Sequence, residues 1–442
     1  MFKKILIANR GEVAARIIRA AKELDIKTVV VYSDVDISSL PTQIADEAIC
    51  IGPADPDKSY LDPVRIITAA KITGAEAIHP GYGFLSENPK FAEICQEHYI
   101  KFIGPSKEAI ELMGNKVEAK KLAASLDIPV IPGALNPPAD IEEAKVQAAQ
   151  IGYPVILKAA LGGGGRGMRI AYNEEELISL FDIAKAESES GFGSQEIYIE
   201  KYIPEPRHIE VQILADEYGN IVHLFERECS IQLRYQKLIE EAPSPIVDKN
   251  LRKKITQAAV KLAKKVNYQN AGTVEFLLDK DKNFYFIEMN TRLQVEHPVT
   301  EFITNIDIVK EQIKIAAGER LGFKQQDIKF SGHAIECRII AADRDKDFAP
   351  VCGHIKHFHI PQGPGVRVDT YLLPEYDIPS EYDALLAKVI TYGKTRDEAI
   401  SRMKRALSEL WIDGIKTIIP FHQDIMNDEE FKKGKIHTHF LS

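Results

Sequence analysis

The chain is 442 residues long, 45% hydrophobic and 27% charged, the composition of an ordinary globular protein with room for two or three packed domains. Its formal net charge of -9 argues against a broad basic surface for nucleic acid or an anionic membrane. No apolar run reaches the roughly 18 residues that cross a bilayer. Residues 5–8 are apolar but stop at Asn9 and Arg10, so the N-terminus reads as a buried strand and not as a targeting segment. Cys50, Cys95, Cys229, Cys337 and Cys352 are scattered and form no Cys-x-x-Cys pair; they read as reduced core thiols of a cytoplasmic protein, against a disulfide framework or zinc site.

In chain order, residues 4–8, the turn Asn9-Arg10-Gly11-Glu12 and residues 13–18 read as strand, turn and amphipathic helix, with a second strand at 28–32. That order predicts a parallel sheet with crossovers. Ligands of such sheets gather at the carboxyl ends of strands, where Asn9 to Glu12 and His79-Pro80-Gly81-Tyr82-Gly83 both fall. A helix over 116–126 leads through the prolines and glycine of 128–133 to a helix at 141–151 and strands at 155–159 and 168–171. Two short strands around a glycine-rich tip predict a flap. Alternating runs separated by turns over 197–287 predict a mostly antiparallel sheet. Beyond Gly332 only a helix at 396–410 and a short tail are legible. The expected division is 1–113, 114–331 with a flap over roughly 132–203, and 332–442.

The strongest chemical signal lies between Thr273 and Glu296. Two strands around a loop at Asp281 and Lys282 place Glu275 opposite Glu288, and facing like charges are destabilising unless neutralised. With Asn290 they form a set of hard oxygen donors suited to Mg²⁺ on a nucleotide; the alternative is that both acids face solvent. An extended backbone through Asn290-Thr291-Arg292-Leu293-Gln294-Val295-Glu296 sends Arg292, Gln294 and Glu296 to one side. A cation, an amide and a carboxylate there suit gripping and deprotonating a small oxyanion; the alternative is an exposed polar face. The run Leu161-Gly162-Gly163-Gly164-Gly165-Arg166-Gly167-Met168 lets backbone N–H groups approach phosphate, yet it matches neither the P-loop nor the dinucleotide fingerprint. Lys158 upstream of it, Lys116 and the Glu200-Lys201 pair supply groups for phosphates and an adenine edge, although each lysine alone reads equally as a solvated charge. His79 and His208 are open between core and ligand roles.

Taken together, the chain resembles the biotin carboxylase family of the ATP-grasp superfamily. The motifs are Ile7 to Glu12, His79 to Asn88, Phe102 to Pro105, Lys158 to Met168, Arg207 to Gln212 and Phe286 to Glu301, in order along nearly the whole chain. The resemblance implies a multidomain α/β and α+β fold: an N-terminal parallel α/β (pre-ATP-grasp) domain, an ATP-grasp domain with a glycine-rich flap, and a C-terminal biotin carboxylase domain. It implies that Lys116, Lys158, Gly164, Gly165, Met168, Glu200, Lys201, Ile203, His208 and Gln232 hold ATP together with Glu275 and Glu288. Glu275, Glu288 and Asn290 would hold Mg²⁺ or Mn²⁺. Bicarbonate would sit among Lys237, Arg292, Gln294, Val295 and Glu296, and biotin beside Tyr82, Gly83 and Arg338.

In the implied reaction Glu296 deprotonates bicarbonate, which attacks the γ-phosphate to give carboxyphosphate, while Lys237 and Arg292 offset the charge. Carboxyphosphate yields CO₂ and phosphate, the phosphate takes the ureido proton, and Arg338 stabilises the biotin enolate. The chain shows no Ala-Met-Lys-Met-like segment and is too short for a carboxyltransferase, so the expected partners are a separate biotin carboxyl carrier protein and a carboxyltransferase subunit of an acetyl-CoA, other acyl-CoA or pyruvate carboxylase. A homodimer is also implied.

Three segments depart from the family pattern. Leu233-Arg234-Tyr235-Gln236 replaces two arginines and a histidine or asparagine, and Ile340-Ala341-Ala342-Asp343 replaces Asn-Ala-Glu-Asp. Pro379-Ser380-Glu381-Tyr382-Asp383-Ala384 stands for Pro-Tyr-Tyr-Asp-Ser. The alternatives are therefore another ATP-grasp ligase, which needs no biotin pocket, and a non-catalytic paralogue.

Overall fold

Short buried strands joined by capped helices build the N-terminal sheet. Strands β1 (Lys4–Ile7), β2 (Lys27–Ser33), β3 (Glu47–Gly52), β4 (Ala77–His79) and β5 (Lys101–Phe102) are parallel, in the order β3-β2-β1-β4-β5. Two of the helices start where the sequence punctuates them. Asp62 caps the Pro63–Thr73 helix and Asn88 the Pro89–Glu97 helix, each followed by proline at the first helical position. This computed structural model describes residues 1–134, 136–159, 168–192 and 195–441.

The chain leaves β1 toward β2 on one side, while β4 lies on the other, so the loops after β1 and β4 meet at a topological switch point. Asn9 Nδ2 closes the junction by donating to the carbonyls of Pro80 and Tyr82, both at 2.7 Å. Gly81 is required there, because its φ is +64° and a Cβ would lie 2.8 Å from Asn9 Nδ2.

Strands β6 (Val155–Ala159), β7 (Arg169–Ala171) and β8 (Ile197–Lys201) form a separate antiparallel sheet, with β6 in the middle. The glycine tip with Gly164 and Gly165, expected at the end of a flap, lies outside the described residues. Ile197 to Lys201, expected to open the large sheet, belongs here instead.

The large sheet has eight antiparallel strands: β9 (Arg207–Ala215), β10 (Ile221–Leu233), β11 (Gln236–Ala242), β12 (Asn270–Leu278), β13 (Phe284–Asn290), β14 (His333–Ile340), β15 (Val366–Thr370) and β16 (Leu385–Gly393). Their order is β13-β12-β9-β10-β11-β14-β16-β15. The sheet runs through the expected division at 331/332, because β11 hydrogen-bonds to β14.

Several helices escaped the sequence reading, among them Glu174–Phe192 and Ile308–Ala316. The Lys249–Lys265 helix, capped by Asp248, interrupts the antiparallel stretch and buries Leu251, Ile255 and Leu262 against β9, β12 and β13. The tail after Leu410 is no mere extension: the Ile419–Asn427 helix buries Ile419, Ile425 and Met426 in the core that also holds Met403 and Leu407. Among the described residues no helix is long and apolar enough to cross a membrane.

Arg227 of β10, fully buried, ties this sheet to the helix His297–Thr304. Its five N–H groups reach Glu210 twice (3.1 and 3.0 Å), Gln212 (2.7 Å), Thr273 (3.0 Å) and Thr300 (3.1 Å). Removing that cation strands a buried carboxylate, so Arg227→Met should cost about 3–5 kcal/mol. The check is the urea midpoint, and a loss within about 0.5 kcal/mol, typical of surface substitutions, would contradict it.

Candidate active site

Strand alternation sends His208 and Glu210 of β9 to one face, where β12 places Glu275 beside them in register with Glu210. The same face receives Lys237 from β11. Its ammonium contacts Glu210 and lies 2.9 Å from Glu275 and 2.8 Å from Glu296. One cation with three N–H groups thus meets three buried carboxylates. Burial alone would discharge Lys237, but Glu210, Glu275 and Glu296 hold its pKa well above the ordinary value.

Glu275 and Glu288 do face each other, paired directly across β12 and β13. They share no hydrogen bond, and each has its own compensation. Glu275 Oε1 accepts from Asn290 Nδ2 (2.8 Å), Gln294 Nε2 (3.0 Å) and Lys237, while its Oε2 lies 2.9 Å from His208 Nε2. Glu288 lies 3.0 Å from Lys116 at the start of the Lys116–Ser125 helix. Burial pushes Glu275 up, yet Lys237 and His208 hold it far below the ordinary carboxylate range. Two facing carboxylates stabilised by borrowed cations, with an amide oxygen on Asn290, fit a divalent metal of hard-oxygen preference.

Residues 291–296 correct the sequence expectation. β13 ends at Asn290, and Glu296 sits at the N-cap of the His297–Thr304 helix with φ -80° and ψ 10°. The segment is a turn, not an extended strand, yet Arg292, Gln294 and Glu296 still converge. Arg292 donates to Gln294 Oε1 (3.0 Å) and Asn290 Oδ1 (3.1 Å), and its Nε holds Glu87 at 2.8 Å. The Val295 carbonyl accepts from Lys388 at 2.9 Å. Glu296 is fully buried between Lys237 and Arg338, whose Nη2 lies 2.9 Å away. Burial opposes its charge, but Lys237, Arg338 and Arg227 win and hold its pKa well below normal.

The nucleotide candidates fall into two groups. Glu200 of β8 is buried between Lys158 of β6, at 2.7 Å, and Lys120. Burial raises its pKa, but the two ammonium groups bring it down to about 2. Gln232 of β10 sits 2.8 Å from His208 Nδ1. Lys201, alternating to the opposite side from Glu200, gives its ammonium to the carbonyls of Gly152 (2.9 Å) and Tyr153 (2.8 Å), so its charge does not join Lys158. Ile203 is half-buried in the connection to β9, and Met168 half-buried before β7.

Tyr82, Gly83 and Arg338 line one cavity of about 320 Å³ with Val295. Two of the departing segments line it too, through Ile340 and Tyr382, and the third reaches it through Gln236. Tyr382 lies under the Arg10 guanidinium, 4.3 Å from ring centre, and donates to Ser33 at 2.8 Å. The third departure is a two-residue hairpin turn: Leu233 pairs with Gln236, and Arg234 and Tyr235 take φ of 50° and 65°. Tyr235 stands half-exposed at that tip.

Sequence reasoning missed Glu210, Lys120, Glu240, Arg227 and Lys388. Period two from His208 pointed to Glu210, and the four-residue step from Lys116 pointed to Lys120. Nothing local marked Glu240, whose Oε1 accepts from Arg338, or Lys388, because their partners come from other strands.

Comparison with known proteins bears on this geometry. Family models match in sequence: the biotin carboxylase N-terminal domain over residues 1–110, the carbamoyl-phosphate synthase L chain ATP-binding domain over 115–324, and the biotin carboxylase C-terminal domain over 336–442. Biotin carboxylase 1 of Bacillus subtilis is 55% identical over 442 residues, covering 100% of this chain and 98% of the relative. A pyruvate carboxylase subunit of Methanothermobacter thermautotrophicus is 55% identical over 441 residues, covering 100% and 90%. The biotin carboxylase domain dimer of Hydrogenobacter thermophilus 2-oxoglutarate carboxylase, solved with MgADP, ADP and bicarbonate, superposes with a TM-score of 0.94 at 50% identity, covering 100% of this chain and 97% of that one. The chain belongs to the biotin carboxylase family.

Proposed function

We propose that this chain is an ATP-dependent ligase that carboxylates biotin with bicarbonate, and that Glu296, buried between Lys237 and Arg338, is its general base. That placement is the observation that carries the reading. In the resting site Glu296 is a weak base, because two cations stabilise its charge. Bicarbonate entering among Lys237, Arg292, Gln294 and the Val295 backbone competes for those cations. As Lys237 and Arg338 turn toward the substrate, the Glu296 carboxylate loses stabilisation and its proton affinity rises. It then takes the bicarbonate proton, and the freed oxygen attacks the γ-phosphate of ATP to give carboxyphosphate. Lys237 and Arg292 offset the charge that builds on the transferring group.

Lys116, Lys158, Glu200, His208 and Gln232 would contact the nucleotide, with Met168, Ile203 and the Lys201 backbone beside the base. Gly164 and Gly165 would close over the phosphates. Glu275, Glu288 and Asn290 would hold Mg²⁺ or Mn²⁺, which neutralises phosphate charge when bound. Biotin enters as a substrate in the Tyr82 cavity, where the phosphate released from carboxyphosphate takes its ureido proton and Arg338 faces the resulting oxyanion. The cavity favours this reading over another ATP-grasp ligase, since Arg338, which lines it, also pairs with Glu296.

The same reading gives the chain two partners, a separate biotinylated carrier protein and a carboxyltransferase. Relatives named for pyruvate and for 2-oxoglutarate carboxylases are 55% and 50% identical to it, so the choice of acceptor would rest with the carboxyltransferase. The dimeric Hydrogenobacter thermophilus domain supports a homodimer. Five free cysteines, of which Cys50 and Cys352 are exposed and not in the core as expected, suit a reducing, cytoplasmic compartment. Domain limits at 1–113, 114–331 and 332–442 are part of the proposal, the last two sharing one sheet.

Purified protein should transfer label from bicarbonate to free biotin or to a biotinylated carrier only with MgATP. Glu296→Ala should lose about 10²–10⁴-fold in kcat, and Arg338→Ala should abolish transfer more than bicarbonate-dependent ATP cleavage. Binding of MgATP without any transfer by the wild type would sink the reading, and near-normal turnover by Glu296→Ala would remove the proposed base.

The Glu200 cluster has a pH signature. Its folded pKa of about 2 lies below the ordinary 4.5, so its ion pairs contribute stability above pH 4.5 that disappears as pH falls toward 2. Lys158→Met should therefore be less stable than wild type at pH 6, with the gap narrowing between pH 4.5 and 2. A constant gap across that window in thermal melts would contradict the assignment.

A further inference from the structure

We infer that Lys388 is a positioning residue that joins the Gln294–Glu296 turn to the wall of the Tyr82 cavity, so that the bicarbonate grip and the biotin pocket move as one unit. The inference rests on the carboxylase reading and adds to it a residue that touches neither substrate.

Lys388 is fully buried in β16, opposite Arg338 on one neighbouring strand and Asp369 on the other. Its ammonium donates to the Val295 carbonyl at 2.9 Å and lies 3.1 Å from Glu12 Oε1. The same Glu12 oxygen accepts the hydroxyl proton of Tyr82. A continuous hydrogen-bonded line therefore runs from Val295 through Lys388 and Glu12 to Tyr82. It connects residues from four distant parts of the chain, and Val295, Glu12 and Tyr82 all line the cavity.

A buried ammonium is costly, and an apolar side chain of similar length commonly replaces a buried ion pair with little loss. Its charge offsets Glu12, not Asp369. Asp369 is already gripped twice by Arg367, at 2.9 and 2.6 Å, and lies 3.8 Å from Lys388. Glu12, by contrast, pairs with no other cation among the described residues, and its second oxygen has no partner. Nor does another described group donate to the Val295 carbonyl. What Lys388 adds is orientation: it fixes the peptide plane preceding Glu296 and, through Glu12, the ring of Tyr82. Small misplacements of reacting groups are enough to cost orders of magnitude in rate.

The nucleotide residues do not touch this line, which gives the test its contrast. Steady-state kinetics with free biotin should show Lys388→Met raising KM for bicarbonate and for biotin together by about tenfold or more, with KM for ATP within about twofold of wild type. Glu12→Leu cuts the line at its far end and should raise KM for biotin while leaving KM for bicarbonate near wild type. A purely structural role would lower kcat with all three KM values unchanged, and that result for Lys388→Met overturns the inference. Should Lys388→Met fail to fold, Glu12→Leu decides: a rise in KM for biotin alone supports the joint, and no rise overturns it. Absence of turnover in the wild type would instead defeat the carboxylase reading itself.

Discussion

The site depends on one ammonium in a nest of carboxylates. Lys237 stands among Glu210, Glu275 and Glu296, which arrive from β9, β12 and the turn after β13. Three acids this close repel strongly in a medium of low dielectric, and no backbone geometry alone would hold them together. Lys237 makes the assembly possible, and Arg227 and Arg338 complete it from below and from the side. On the proposed reading, the cations hold acids where substrate anions would bind. Substrate can therefore exchange for resident carboxylates without creating an uncompensated charge.

A second facing pair shows what happens without that compensation. Glu240 of β11 lies directly opposite Glu336 of β14, both fully buried. Glu336 has no hydrogen bond to either oxygen, and one Glu240 oxygen is likewise unpartnered. Burial lifts Glu336 well above the ordinary range and lifts Glu240 to about 7, although Arg338 pulls the latter back. Lys237, Glu296 and Lys388 are the other charges that bear on them. Register is thus the same for Glu275–Glu288 and Glu240–Glu336, but the outcome differs. Lys237 and His208 hold Glu275 of the first pair below the ordinary range, whereas burial raises both members of the second.

Much of this was legible in the chain. The strand, turn and helix order around Asn9 to Glu12 and the segment His79 to Gly83 located the switch-point loops, and the hairpin around Asp281 gave the Glu275–Glu288 register. What failed was local pattern where tertiary contacts decide. Alternation could not foresee that β13 stops at Asn290, because the turn is held by Lys388 on the Val295 carbonyl and by His297 beside the Gln294 carbonyl at 2.8 Å. The Lys249–Lys265 helix had a readable signal in Leu251, Ile255 and Leu262, obscured by its many lysines. The Ile419–Asn427 helix opens on Pro420, which reads as a breaker unless it is recognised as a helix start.

The turn is also the better solution for the chemistry. In a strand, Gln294 and Glu296 would lie about 7 Å apart along the ladder to β12. In the turn the backbone doubles back, so Gln294 reaches Glu275 while Glu296 reaches Lys237 and Arg338. The metal-facing acids and the base then share cations directly. A change in the charge of one alters the proton affinity of the others within a few ångströms, so on the proposed reading an arriving anion would raise the basicity of Glu296 as the bicarbonate proton is to be taken.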